Sequence, residues 1–203
     1  SLSRPIARVY LTMLAMTVVL VSDVFIPYFL QVLHGVTPLV SGYLVALVAL
    51  GWTFSAFLGG SLTGGRAQAA IVAGALIEAA ATISLAVFLA RDNPQAHMLF
   101  IVPAAVGMFM MGFGVGLGWA HLVAMVLTLV ADSELDKASA AIPTMSSLGG
   151  AFGAAFAGVI ANGAGLVDPG GVAGALSAAY WLYLLIALPG VLAIGVSLSL
   201  RTG

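Results

Sequence analysis

Four ionisable side chains fall inside or at the end of long apolar stretches, and each is of a type that can carry a proton. Asp23 stands in VLVSDVFIPYFLQ (Val19 to Gln31), Glu78 in AGALIEAAATIS, and His121 follows GLGWA, while His34 closes the first stretch. An ionised Asp at the centre of a bilayer costs roughly 2.5–3.5 kcal/mol on insertion scales, so such a group must be compensated. No Lys or Arg lies inside a stretch to pair with either acid. A cationic partner would have to be a substrate, a proton or another chain. At 100° per residue Thr12, Met16, Asp23, Pro27, Gln31 and His34 share a stripe of roughly 100°, which predicts a semi-polar helix face. Pro27 frees the carbonyl of Asp23 and can kink the helix toward a cavity. Asp23 is therefore expected to line a cavity or couple protons, the plainer reading being a protonated acid hydrogen-bonded within the bundle.

Glu78 has Gly74, Ala81 and Thr82 on its side of the helix, and the expectation is a structural hydrogen bond, with a proton relay as the alternative. His121 and Trp119 read as an interfacial anchoring pair, with a proton-carrying His as the alternative. Gln31 and His34 fit either a rim or gate contact on a substrate path or an ordinary wet helix end. Asn162 reads as a cap or rim group, and DSELDK as a solvated loop in which Asp132 or Ser133 caps the following helix.

The elements that must position these groups follow from composition. Of 203 residues 62% are hydrophobic and only 6% charged, with a mean hydropathy of +1.18. A soluble fold of this composition would expose large apolar patches, whereas a bilayer is a solvent in which such a surface is stable. Membrane lipid is thus the first expected partner. A net charge of −1 with six scattered basic residues excludes a nucleic-acid surface. The chain has no Cys, so no thiolate metal site, disulfide or thiol nucleophile is available. Neither a His-x-x-Glu-His pattern nor a paired-Asp motif occurs, and no enzyme, metal or cofactor is expected.

A helix needs roughly 20 apolar residues to cross a ~30 Å hydrocarbon layer. The Gly, Pro and charge punctuation divides the chain into six such helices near 9–33, 39–62, 67–90, 98–127, 138–163 and 174–200, one transmembrane domain over 1–203. Runs such as AAIVAGALIEAAATISLAVFLA do not alternate, which excludes barrel strands. Six crossings leave both termini on one side, together with Arg4, Arg8, Arg66, Lys137 and Arg201, against Arg91 alone on the other. The positive-inside rule then predicts cytoplasmic termini in a cell (inner or plasma) membrane. Tyr43, Tyr180, Trp181 and Tyr183 suit an interfacial aromatic belt. The stretch after Arg8 runs too long for a secretory signal, and the start at Ser1, on the edge of a helix, suggests a longer protein.

Small residues recur at every fourth position of the fifth helix, as Gly149, Gly153 and Ala157 and again as Gly150, Ala154 and Gly158. Two close-packing faces are expected, with sliding or hinge surfaces as the alternative. GFGVGLG (Gly112 to Gly118) in the fourth helix, with Gly51, Gly59 and Gly60 in the second, gives the same signal.

FIPYFLQVLHGVTPLVSGYLVALVALGWT (Phe25 to Thr53), the Gly-rich fourth helix and ASAAIPTMSSLGGAFGAAFAGVIAN (Ala138 to Asn162) together resemble the carboxyl-terminal six-helix half of major facilitator superfamily transporters, closest to the fourteen-span multidrug/proton antiporter branch. The GGSLTGGRAQ loop keeps Gly60 and Arg66 but lacks the family's Asp, as suits a second half. The resemblance implies a 3+3 inverted repeat, with helices one, two, four and five facing a cavity or partner half and helices three and six peripheral. It further implies proton-driven export of amphipathic small molecules, with a missing amino-terminal half or a homodimer partner completing the path. A non-transporting membrane assembly or regulatory module is the alternative.

Overall fold

The computed structural model describes residues 5–200; Arg4 and Arg201, two of the charges used for sidedness, lie outside the described residues. Every regular element among these residues is helical. The first span is built from α1 (Pro5–Leu20), a 3-10 turn (Val21–Phe25) and α2 (Ile26–His34). The others are α3 (Pro38–Gly59), α4 (Gly65–Phe88), α5 (Met98–Thr128), α6 (Leu135–Gly163) and α7 (Gly171–Ser197). Six helical spans are thus long and apolar enough to cross a membrane, within a few residues of the expected limits, and the protein is a multi-pass membrane protein.

Local chemistry explains the sharp turn at HGVTP. Gly35 ends α2 in the left-handed region at φ 61°, and a Cβ there would also strike the Pro94 carbonyl, so only glycine fits. Two residues later the Thr37 hydroxyl accepts the Val40 N–H at 3.4 Å, and Pro38 occupies the first helical turn, where no N–H is needed. At the other sharp loop the expected cap is not made: neither Asp132 nor Ser133 caps α6, which follows a short 3-10 turn directly.

Helix α5 is the centre of the bundle because of its glycines. Residues two apart on a helix point about 200° apart, so Gly112 and Gly116 face one neighbour while Gly114 and Gly118 face another. A Cβ on Gly112 would run into the Val48 carbonyl of α3, and one on Gly116 into Trp52 and Ser55. On the opposite side Gly114 meets Gly74 and Glu78 of α4, and Gly118 meets Ile71. Such backbone-to-backbone approach is how helices gain van der Waals contact in lipid.

Helices α1 and α7 form the second sandwich with α4 and α6. The strong pairings, second span on fourth and third on fourth, have counterparts in fifth on first and sixth on first, as exchange of two three-helix units requires. The paired small faces of α6 are not equivalent, however. Gly149 and Gly153 pack on Thr17, Val18 and Val21, whereas Gly150 and Gly158 meet nothing within 4 Å. The expectation of two packed faces is therefore corrected to one among the described residues: the Gly149 and Gly153 side seats on the first span, and no other helix reaches Gly150 or Gly158.

Buried apolar side chains gather in two clusters stacked along the membrane normal. Val9, Met13, Met16, Ile71 and Leu122 belong to the one nearer Arg8 and Arg66, and Phe29, Leu33, Leu85, Met108 and Tyr183 to the one nearer Arg91. Helices α3 and α6 are the least covered spans, and they carry exposed Tyr43, Phe54, Phe57, Phe152 and Val159.

Candidate functional site

The break in the first span places its acid. Pro27 has no N–H to offer the Asp23 carbonyl. The Ile26 N–H turns to that carbonyl instead of to Ser22, closing the tighter 3-10 ring. The Ser22 carbonyl, released from its helical donor, accepts the Tyr183 hydroxyl of α7 at 3.2 Å. The two carbonyls displaced at the break, those of Ser22 and Asp23, thus each find a donor, as buried backbone must in a bilayer.

This turn also shifts the helical phase. Five residues at 120° rather than 100° each turn α2 by about 100° relative to α1, so the stripe expected on an ideal helix does not form. Thr12 and Met16 are buried, the Thr12 hydroxyl bonding back to the Arg8 carbonyl at 2.9 Å. Gln31 instead reaches α3, its amide 3.4 Å from the Ser41 hydroxyl. Half-buried Pro27 remains at the break.

Asp23 itself is half-buried and lines a cleft of about 530 Å³ between the first span and α3, with Leu20, Val45, Ala49, Trp52 and Thr53 among its walls. Trp52 stacks obliquely on Trp119 of α5, ring centroids 5.6 Å apart, so Trp119 supports the aromatic wall of the cleft from behind. Among the described residues no basic side chain lines the cleft. A carboxylate there meets no fixed positive charge of the cleft lining, so its charge is matched by a proton or by a cation that enters.

Glu78 is elsewhere. It is fully buried on α4, between the two apolar clusters, and neither carboxyl oxygen has a hydrogen-bond partner. The expected structural hydrogen bond is not made, because its neighbour across the seam is Gly114, which offers no side chain. His121 also departs from its expectation of an interfacial anchor: it is buried, with Nε2 unpartnered and directed at Gly59 of α3.

His34 is neither wet nor a rim contact. It is fully buried, with Nε2 2.9 Å from the Leu89 carbonyl and Nδ1 3.1 Å from the Asn93 amide nitrogen. A carbonyl only accepts, so Nε2 carries the proton and Nδ1 accepts from Asn93. The Asn93 Oδ1 in turn takes the His97 N–H at 2.9 Å, and its N–H bonds the Leu33 carbonyl at 2.7 Å. This network ties the end of α2 to the α4–α5 loop. Asn162 bonds its own helix at the Gly158 carbonyl, 2.9 Å.

Two residues stand apart from what the sequence predicts of them. Tyr183, expected beside Tyr180 and Trp181 in an interfacial belt, is fully buried while those two are exposed. Its signal was available: Ala175, Ala179, Tyr183 and Ala187 form a stripe of every fourth residue on α7, and all four are buried. Asn93 read as part of a turn, and nothing local distinguishes it from a solvated one.

No protein-family profile matches the chain. It is similar to the "Probable multidrug-efflux transporter" of Mycobacterium tuberculosis, 33% identical over 192 residues in both strain CDC 1551 / Oshkosh and strain ATCC 25618 / H37Rv, covering 94% of this chain and 40% of the relative. It is also similar to the puromycin resistance protein of Streptomyces alboniger, 29% identical over 145 residues, which are 69% of this chain and 27% of that protein. The chain thus spans well under half the length of the curated relatives it matches.

Proposed function

We propose that this chain is half of a secondary transporter of the major facilitator type, exporting amphipathic, drug-like small molecules in exchange for protons by alternating access. The observation that carries the reading is the half-buried Asp23 in a cleft without a basic side chain, beside α3 and near the least covered faces of the bundle. A carboxyl so placed can exchange one proton for one cationic or polar group, the two competing for the same oxygens. Similarity along nearly the whole chain to transporters named for multidrug efflux supports the substrate class. Their greater length supports a second half, which the family resemblance puts amino-terminal to this one and across which α3 and α6 would pack; a second copy of this bundle is the other way to supply it. The termini of this half lie on the cytoplasmic side, since Arg8, Arg66 and Lys137 stand at one end and Arg91 at the other.

The test is Asp23→Asn in the complete membrane-embedded protein, reconstituted in liposomes with an imposed pH gradient. Export of a fluorescent amphipathic cation should lose its dependence on the gradient while binding persists. Unchanged coupling in the variant removes Asp23 from the mechanism. A wild-type protein that moves nothing under any gradient is instead a non-transporting module.

A further inference from the structure

We propose that Tyr183 is a positioning residue for Asp23: its hydroxyl, by capping the Ser22 carbonyl, holds Val21–Phe25 in the 3-10 form that keeps the Asp23 carboxyl in the cleft against α3. This rests on the reading of Asp23 as the coupling carboxyl, but its geometry stands apart from it.

Two carbonyls, those of Ser22 and Asp23, distinguish the two forms. In the 3-10 form Asp23 receives the Ile26 N–H and Ser22 receives the Tyr183 hydroxyl, so both are satisfied. In a continuous α-helix the Ile26 N–H would return to Ser22. The Asp23 carbonyl would then face Pro27, which has no donor, and the Tyr183 hydroxyl would lose its acceptor. One distant hydroxyl therefore decides which form is complete. The rest of the Tyr183 ring is fixed independently, packed edge-on against Phe29 of α2 at a centroid distance of 6.1 Å.

The alternative form moves the acid. Converting five residues from 3-10 to α unwinds about 100° of rotation and shortens the segment by about 2.5 Å. Leu20 and Asp23, three apart and eclipsed in the 3-10 geometry, both line the cleft. In an α-helix they would stand about 60° apart instead of eclipsed, which swings the Asp23 carboxyl away from Leu20 toward one edge of the cleft. Tyr183 thus couples α7, which takes no other part in the cleft, to the direction in which the acid points.

The test uses the complete protein and reads Asp23 directly. An apolar carbodiimide modifies accessible carboxyls in membranes, and mass spectrometry reports the sites. Tyr183→Phe keeps the ring and removes only the hydroxyl. It leaves one carbonyl unpaired in either form, so the roughly fivefold preference that one net hydrogen bond supports is lost, the two forms become about equally populated, and labelling of Asp23 should fall by up to about twofold. Adding Pro27→Ala supplies the missing N–H, completes the α form and should lower labelling further. Glu78, fully buried, serves as the internal control and should stay unlabelled. Unchanged Asp23 labelling in both variants overturns the positioning role. Export should shift its pH profile in step with the labelling; if labelling falls and the pH profile does not move, the positioning of Asp23 stands and its coupling role fails.

Discussion

Gly112→Ala tests the claim that backbone contact between α3 and α5 sets the shape of the cleft. The added methyl would overlap the Val48 carbonyl oxygen, with the carbonyl carbon at 2.7 Å and the Val48 Cα at 3.1 Å. Ordinary carbon contacts begin near about 3.5 Å, so the helices must separate by about 1 Å, and no side-chain rotation can absorb the clash because the opposing atoms are backbone. Overpacking of this kind costs about 1–3 kcal/mol, offset by about 0.5–1 kcal/mol gained in replacing a helical glycine. The net is a destabilisation of up to about 2.5 kcal/mol, and about 1–3 kcal/mol relative to a glycine-to-alanine change that meets no clash. Gly195→Ala is the matched control, since nothing lies within 4 Å of a Cβ there, and it should be neutral or slightly stabilising. Thermal unfolding of the two variants in detergent measures the difference. Because Val48 also lines the Asp23 cleft, gradient-driven export should weaken in Gly112→Ala alone. If Gly112→Ala proves as stable as Gly195→Ala, the close seam between α3 and α5 is wrong.

Three further outcomes follow from the same contacts. Glu78→Met removes two unpartnered buried oxygens and should raise stability by about 1–3 kcal/mol; a loss of stability in detergent unfolding would show that the carboxyl is engaged. His34→Ala leaves one N–H of the Asn93 amide and the Leu89 carbonyl without their His34 partner and should cost about 2–4 kcal/mol. The double variant with Asn93→Ala should cost less than the sum of the two single changes, since both break one network. Because the chain has no Cys, single cysteines at exposed Thr63 and Gln95 report sidedness directly: an impermeant maleimide applied outside cells should label position 95 and spare position 63, and the reverse pattern would invert the proposed orientation.

The loops show how far local chemistry reaches. HGVTP contains its own instructions, a glycine for the left-handed residue, a threonine for the cap and a proline for the first turn, and each of these acts over a few residues of the chain. The acids were legible in kind, since a carboxyl inside a spanning helix has few ways to exist, but not in surroundings. Glu78 faces a glycine because of how α4 happens to meet α5, and His34 is buried because a loop almost sixty residues away folds over it.

Six crossings, the ends of the helices and the presence of acids at depth could all be read from the chain, because transfer of a segment into lipid adds up residue by residue along the segment itself. The facing of Asp23, the choice between the two glycine faces of α6 and the burial of Tyr183 could not. Each depends on which helix lies alongside, and one proline turned the first span by about 100° away from the wheel its residues suggest. Lipid is indifferent to that rotation; only the neighbouring helices, with their carbonyls and hydroxyls, select it.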